Sequence, residues 1–254
     1  MASPSTARVE ARGHGLIGSL RIGARVAALL IALLVMLPLH FMCRVLHVPV
    51  WMPRHFLGIV AWIAGARVQK IGKPLRRDVV FISNHVSWID IPAIAGATGS
   101  AFVSKSELRD APVVGWLSTL NHTLFVERDD RMGVAEQIAR LRDALAELWS
   151  VTIFPEGTTT DGFDLLPFKG ALLAVLDPPP PGVMVQPVFL DYCAAPDVAW
   201  VREELGLGNA LRIFARAGSF PLTIRFLEPF DPATLGGRKA VAAEARARIS
   251  AAMA

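Results

Sequence analysis

The sequence predicts an α/β fold: a mainly parallel, mixed sheet flanked by helices, preceded by an N-terminal apolar helical segment that anchors the chain to a membrane. Three observations carry this expectation. From about Arg77 onward, short β-branched runs alternate with helical stretches, the pattern of strands covered by helices on both faces. Upstream, Val26 to Cys43 is apolar apart from Pro38 and His40. Two polar motifs each follow directly on a predicted strand, where open α/β sheets place their active groups.

Residues 1–20 are polar and rich in Gly, Ser and Arg. As a helix, the 18 residues from Val26 to Cys43 would reach about 27 Å, the short limit for crossing a bilayer. Arg21 and Arg25 flank one end and Arg44 and Arg54 the other, so the charge rule gives no orientation. A second apolar stretch, Phe56 to Ala64, is too short to span. Three readings stay open: a cleaved signal peptide, a single spanning helix, and a two-helix hairpin lying in one leaflet with a bend favoured by Pro38. The expected division is residues 1–70 as tail and membrane segment and 71–254 as the second domain. Within the latter, strands are expected over 79–82, 101–103, 124–126, 151–154, 183–190 and 222–227. Pro187 makes the 183–190 strand an edge or a bulged one. Helices are expected over 133–149, where Val134, Ile138, Leu141, Leu145 and Leu148 share a face, and over 168–176 and 238–252.

Composition narrows the class. Hydrophobic residues make up 53% and charged ones 19%, both shifted toward a membrane-facing protein, and disorder is excluded for most of the chain. The net charge of +4 is carried mostly by arginine, whose planar fork suits phosphate. No basic face with stacking aromatics and no nucleic-acid module accompanies it, so no nucleic-acid partner is expected; anionic lipid heads fit better. The two cysteines, Cys43 and Cys193, are far apart and form no metal or disulfide pattern.

The first motif is Asn84-His85-Val86-Ser87-Trp88-Ile89-Asp90. Five helical residues rotate by about 140°, so His85 and Asp90 meet only if the chain turns between them, as a strand-to-helix corner makes it do. An aspartate on one imidazole nitrogen fixes the tautomer and frees the other nitrogen to take a proton. An alcohol attacking a thioester needs such a base, which supplies about 10²–10⁴-fold in rate. Alone the spacing is weak: His122 has Glu127 at the same interval, and precedes a strand rather than following one. The second motif, Phe154-Pro155-Glu156-Gly157-Thr158-Thr159, also closes a strand; Gly157 permits close backbone approach, and the turn can offer N–H groups and hydroxyls. An ordinary strand-ending turn is the competing reading. Other enzyme classes lack their signatures: there is no G-x-S-x-G elbow, no P-loop, no third glycine after Gly206-Leu207-Gly208, and no H-E-x-x-H. A non-catalytic lipid-binding membrane protein is the alternative from another class, and it would need neither His85 nor Asp90.

Together, in this order, the two motifs resemble the 1-acylglycerol-3-phosphate acyltransferase family. Lys105-Ser106-Glu107-Leu108 with Phe125-Val126-Glu127-Arg128 resembles its second motif, Val185-Gln186-Pro187-Val188 its fourth, and Phe168-Lys169-Gly170-Ala171 a segment after the third. The likeness covers about residues 70–230. It implies an O-acyltransferase in which His85 is the base, Asp90 orients it, Glu156, Gly157, Thr158 and Thr159 shape the acceptor site, and Lys105 and Arg128 hold an anionic head. It implies an acyl thioester donor, acyl-CoA or acyl-ACP, with no bound cofactor and no metal. It further implies membrane lipids as partners, at the inner (cytoplasmic) membrane with the catalytic domain facing the cytoplasm. The acceptor it favours is 1-acylglycerol-3-phosphate. Lyso-ornithine lipid or another lysolipid is the alternative, because Thr159 stands where the family commonly has a phosphate-binding arginine.

Overall fold

A seven-stranded sheet organises the described residues, in the order β1-β7-β6-β2-β5-β3-β4. The computed structural model describes residues 15–48, 52–105, 124–126, 150–193, 195–201 and 204–254, excepting the side chains of 103–105, 124–126, 195 and 196. The strands are β1 (Ala66–Ile71), β2 (Val79–Ser83), β3 (Ala101–Lys105), β4 (Leu124–Val126), β5 (Ser150–Ile153), β6 (Met184–Asp191) and β7 (Phe220–Phe226). Every pairing is parallel except β6 with β7. Helices α1 (Leu16–Val45), α2 (Met52–Ala64), α3 (Asp90–Thr98), α4 (Gly206–Ala215) and α5 (Arg238–Met253) accompany it, with a 3-10 helix over Gly170–Leu176. The expected helix over 133–149 lies outside the described residues.

The central strands β2 and β5 are buried on both faces; β2 reads accordingly as an apolar run from Val79 to Ile82, whereas β5 carries buried Ser150 and Thr152 on one face. Along β2, Phe81 faces one core with Ile89, Ile94, Phe102 and Phe154. Val80 and Ile82 face the other, with Val151, Ile153, Leu173, Val241 and Ala245. Helices α2 and α3 thus cover one face, and α5 with the 3-10 helix the other.

Two expectations change. Pro187 does not mark an edge: β6 lies inside the sheet, between β7 and β2. The irregular pairing is real, however. Val185 exchanges both backbone bonds with Phe230, and the β6–β7 ladder resumes at Val188↔Phe226. Residues 227–229 therefore oppose only Gln186 and Pro187, and the missing N–H of Pro187 faces this bulge. The Gln186 side chain fills the gap, donating to the carbonyls of Lys73 and Leu227 and accepting from Leu75 N–H. Second, Pro38 does not turn the chain. Helix α1 runs 30 residues through it, and the reversal comes after Val45. Strand β1 was not anticipated, and the expected division after residue 70 falls within it.

Helix α1 is long and apolar enough to cross a membrane by length and composition, and 6% of its apolar window is buried. Leu30, Ile31, Leu34 and Val35 are exposed. Two of the arginines read as flanking charges, Arg25 and Arg54, bond to backbone carbonyls of the fold. Arg25 donates to the carbonyls of Ile213, Phe214 and Gly218, at the C-terminal end of α4. Arg54 donates to those of Gly96 and Ala97 at the end of α3. Both reach carbonyls in the last turn of a helix, where a helix leaves C=O groups without internal partners, and Arg25 reaches Gly218 O beyond it as well.

Candidate active site

Strands β2 and β5 are adjacent and parallel, with Ile82 opposite Ile153, so their carboxyl ends open at the same edge of the sheet. His85 leaves one end and Phe154 the other. Asn84 makes the departure possible. Its side-chain amide donates to Leu190 O at 3.1 Å and accepts from Leu190 N–H at 2.8 Å. The side chain replaces the next rung toward β6, and the main chain is free to turn. Six residues later α3 begins with Asp90.

The corner brings the pair together. Asp90 is fully buried. Its Oδ2 lies 2.7 Å from His85 Nδ1 and accepts from the N–H groups of Val86 and Ser87 at 2.7 and 3.0 Å. Its Oδ1 accepts from the Tyr192 hydroxyl at 2.5 Å. A carboxylate only accepts, so Nδ1 carries the proton and Nε2 keeps its lone pair. The His85 ring stacks on Phe154, with centroids 4.2 Å apart and planes inclined by 17°, and Phe154 stacks in turn on Phe102. The His85 side chain retains 16% exposure, and Nε2 makes no hydrogen bond among the described residues.

The second motif fixes the histidine's backbone. Glu156 is fully buried; Oε1 accepts from His85 N–H and Oε2 from Leu166 N–H, both at 2.9 Å. Burial pushes its carboxyl above the ordinary range, against the two N–H bonds, which pull it down. Thr160 N–H donates to the His85 carbonyl at 2.8 Å. Gly157 has φ 70°, in the left-handed region that favours glycine, and its N–H closes the turn onto Phe154 O. Thr158 is half-buried. The Thr159 hydroxyl donates to the Trp200 carbonyl, and Trp200 N–H donates to Val86 O at 2.8 Å. Thr159 thus clips a distant segment over the first motif.

Of the residues expected in the site, His85, Asp90, Glu156, Gly157, Thr158 and Thr159 gather at this edge. Lys105 ends β3, two strands from β2, with its side chain outside the description. Arg128, like His122 and Glu127, lies outside the described residues. No group of three or more potential metal ligands occurs among the described residues. Sequence reading missed Tyr192 and Trp200. One signal for Tyr192 existed: it is the sole tyrosine, placed just past a predicted strand.

Fold and site define an α/β chain in which a histidine ring is bonded to a buried aspartate at the carboxyl edge of a mainly parallel sheet. Residues 67–191 match the Acyltransferase family model. The lyso-ornithine lipid O-acyltransferase of Brucella abortus (strain 2308) is 32% identical over 255 residues, covering 93% of this chain and 95% of that protein. The protein of the same name from Rhodobacter capsulatus is 30% identical over 94% of this chain and 92% of its own length. The 1-acyl-sn-glycerol-3-phosphate acyltransferase of Neisseria gonorrhoeae is 34% identical over 41% of this chain and 42% of its own. The chain belongs to the acyltransferase family and is an acyltransferase. The crystal structure of the 1-acyl-sn-glycerophosphate (LPA) acyltransferase PlsC from Thermotoga maritima shares the fold, with a TM-score of 0.61 and 23% identity over 79% of this chain and 76% of that one.

Glu156 is tested by Glu156→Gln, which puts an NH₂ donor against one of the two backbone N–H groups. One charged hydrogen bond is lost, and turnover should fall about tenfold or more with a lower melting temperature. Wild-type turnover in a folded Glu156→Gln protein, measured by initial rates, would remove Glu156 from the account.

Proposed function

We propose that this acyltransferase moves a fatty acyl group from a thioester to the free hydroxyl of a lysolipid. The observation that carries the reading is the Asp90-bound His85 ring, with Nε2 open at the carboxyl edge of the sheet. Nε2 takes the hydroxyl proton as the oxygen attacks the thioester carbonyl, and Asp90 stabilises the imidazolium that forms. The tetrahedral intermediate expels the thiolate as the C–S bond breaks, and the imidazolium returns the proton to sulfur. No serine or cysteine side chain is hydrogen-bonded to His85 among the described residues, which favours direct attack by the acceptor. The donor is acyl-CoA or acyl-ACP, and Lys105 and Arg128 are the cations proposed for an anionic head.

For the acceptor, lyso-ornithine lipid stands ahead of 1-acylglycerol-3-phosphate, reversing the order that the motif resemblance gave. The relatives that align over nearly the whole chain carry the first name, whereas the Neisseria glycerol-phosphate enzyme aligns over 41% of it. Thr159, standing in place of the arginine, has its hydroxyl occupied by Trp200 O and offers a phosphate no cation.

Purified protein given labelled acyl-CoA or acyl-ACP and a panel of lysolipids should acylate lyso-ornithine lipid with the highest kcat/KM. His85→Ala should abolish product without unfolding, since the ring sits at the edge of the core. Turnover by a folded His85→Ala protein would refute the mechanism; a preference for 1-acylglycerol-3-phosphate would refute the acceptor.

The inner membrane, with the catalytic domain facing the cytoplasm, is the proposed location, and exposed α1 the anchor. Replacing Leu30, Ile31, Leu34 and Val35 together with serine removes several buried side chains' worth of lipid contact, at about 1.5–3 kcal/mol each. The variant should leave the carbonate-resistant membrane fraction while keeping activity on detergent-dispersed substrate. Undiminished carbonate-resistant association would show that α1 is not the anchor.

A further inference from the structure

Tyr192 is the single tyrosine of the chain. It follows β6, is 6% exposed, and stacks its ring on Phe220 with centroids 6.1 Å apart. Its hydroxyl donates to Asp90 Oδ1, the oxygen that does not meet His85. Asp90 Oδ2 has three donors, His85 Nδ1 and the N–H groups of Val86 and Ser87. Among the described residues Oδ1 has Tyr192 alone, and Asp90 has no exposed surface through which water could substitute. Burial first, and the Asp90 charge second, push the phenol well above its ordinary range, so it remains an O–H donor.

We infer that Tyr192 is a positioning residue for acyl transfer, holding the Asp90 carboxylate in the plane that His85 needs. This rests on His85 being the base. With Oδ1 held, rotation of the carboxyl group is blocked and Oδ2 stays on Nδ1. The donor on Oδ1 also gives a partner to a buried oxygen that otherwise has none among the described residues, and the Asp90 carboxylate is what stabilises the imidazolium. Among the described residues, the titratable groups facing Asp90 are His85 from the corner, Tyr192 from the end of β6 and Glu156 from the end of β5. A tyrosine bonded merely to satisfy its own burial would leave catalysis unaffected when the hydroxyl is removed.

Tyr192→Phe keeps the ring and its packing and removes the one donor. A carboxylate that loses a donor favours the neighbouring imidazolium more strongly, so in the variant His85 Nε2 takes up a proton, and ceases to act as a base, at higher pH than in the wild type. In the full chain, kcat should fall about tenfold with both KM values within about twofold of wild type, as for a group that acts only in the transition state. The acid limb of the kcat/KM profile should move to higher pH by about one unit, the scale of one hydrogen bond to a charged group. An unchanged kcat and limb would overturn the inference. So would a fall in kcat with an unmoved limb, which is simple loosening. His85→Ala measured in parallel separates the two claims: if it remains active, the base is wrong; if it is dead while Tyr192→Phe behaves as wild type, only the inference fails. Should Tyr192→Phe not fold, biosynthetic replacement of the sole tyrosine by 3-fluorotyrosine gives a more acidic phenol and a stronger donor. The limb should then move to lower pH, and an unmoved limb overturns the inference.

Discussion

A carboxylate with no exposed surface has to be satisfied by the protein around it, and at Asp90 that requirement draws three parts of the chain together. The corner after β2 supplies two backbone N–H groups and the imidazole, and the end of β6 supplies a phenol. Moving an isolated carboxylate from water into the interior costs several kcal/mol even after relaxation, so its donors are a condition of the fold as much as of the chemistry. The corner is fixed independently by Asn84 on Leu190 and by Glu156 on His85 N–H, which spares Asp90 from organising it alone. The ring itself is held by packing, between Phe154 and the open edge. A ring held in this way is preorganised: its direction is set by Asp90 and Phe154 before any ligand arrives.

The same economy of position appears at the N-terminal end. Helix α2 packs on α3, where Gly58 and Gly96 approach so closely that a Cβ on Gly96 would lie 2.7 Å from Gly58 Cα. Arg54 then closes the end of α3, the helix whose first residue is Asp90. The apolar hairpin is therefore tied to the element that carries Asp90. Exposed apolar α1 packs on α2 and so belongs to the same hairpin.

Much of this was legible because it depends on local pattern. Strand β2 is an apolar run, β5 and β7 alternate with the period of a strand, and His85 and Asp90 could be paired by asking what geometry their spacing allows. The parts that were not legible depend on contacts made across the sheet. Strand β1 has five of its six residues exposed and pairs on one side only, so no apolar signal marks it. Helix α4 opens with Gly206 and Gly208, and its buried positions include Asn209, which hides its period. Pro187 sits inside the sheet because a bulge 40 residues downstream faces it, and Tyr192 reaches Asp90 across 102 residues. Arg25 and Arg54 looked like membrane-flanking charges because a sequence does not reveal which helix ends lie beside them.

The central claim is that His85 works as a base because Asp90 accepts from its Nδ1–H. Asp90→Asn tests it most directly, since the amide has the same shape and can donate to Nδ1, which favours the wrong tautomer. Steady-state kinetics of folded Asp90→Asn protein should show kcat lower by about 10³–10⁴-fold with little change in KM. A kcat within a few-fold of wild type would contradict the account.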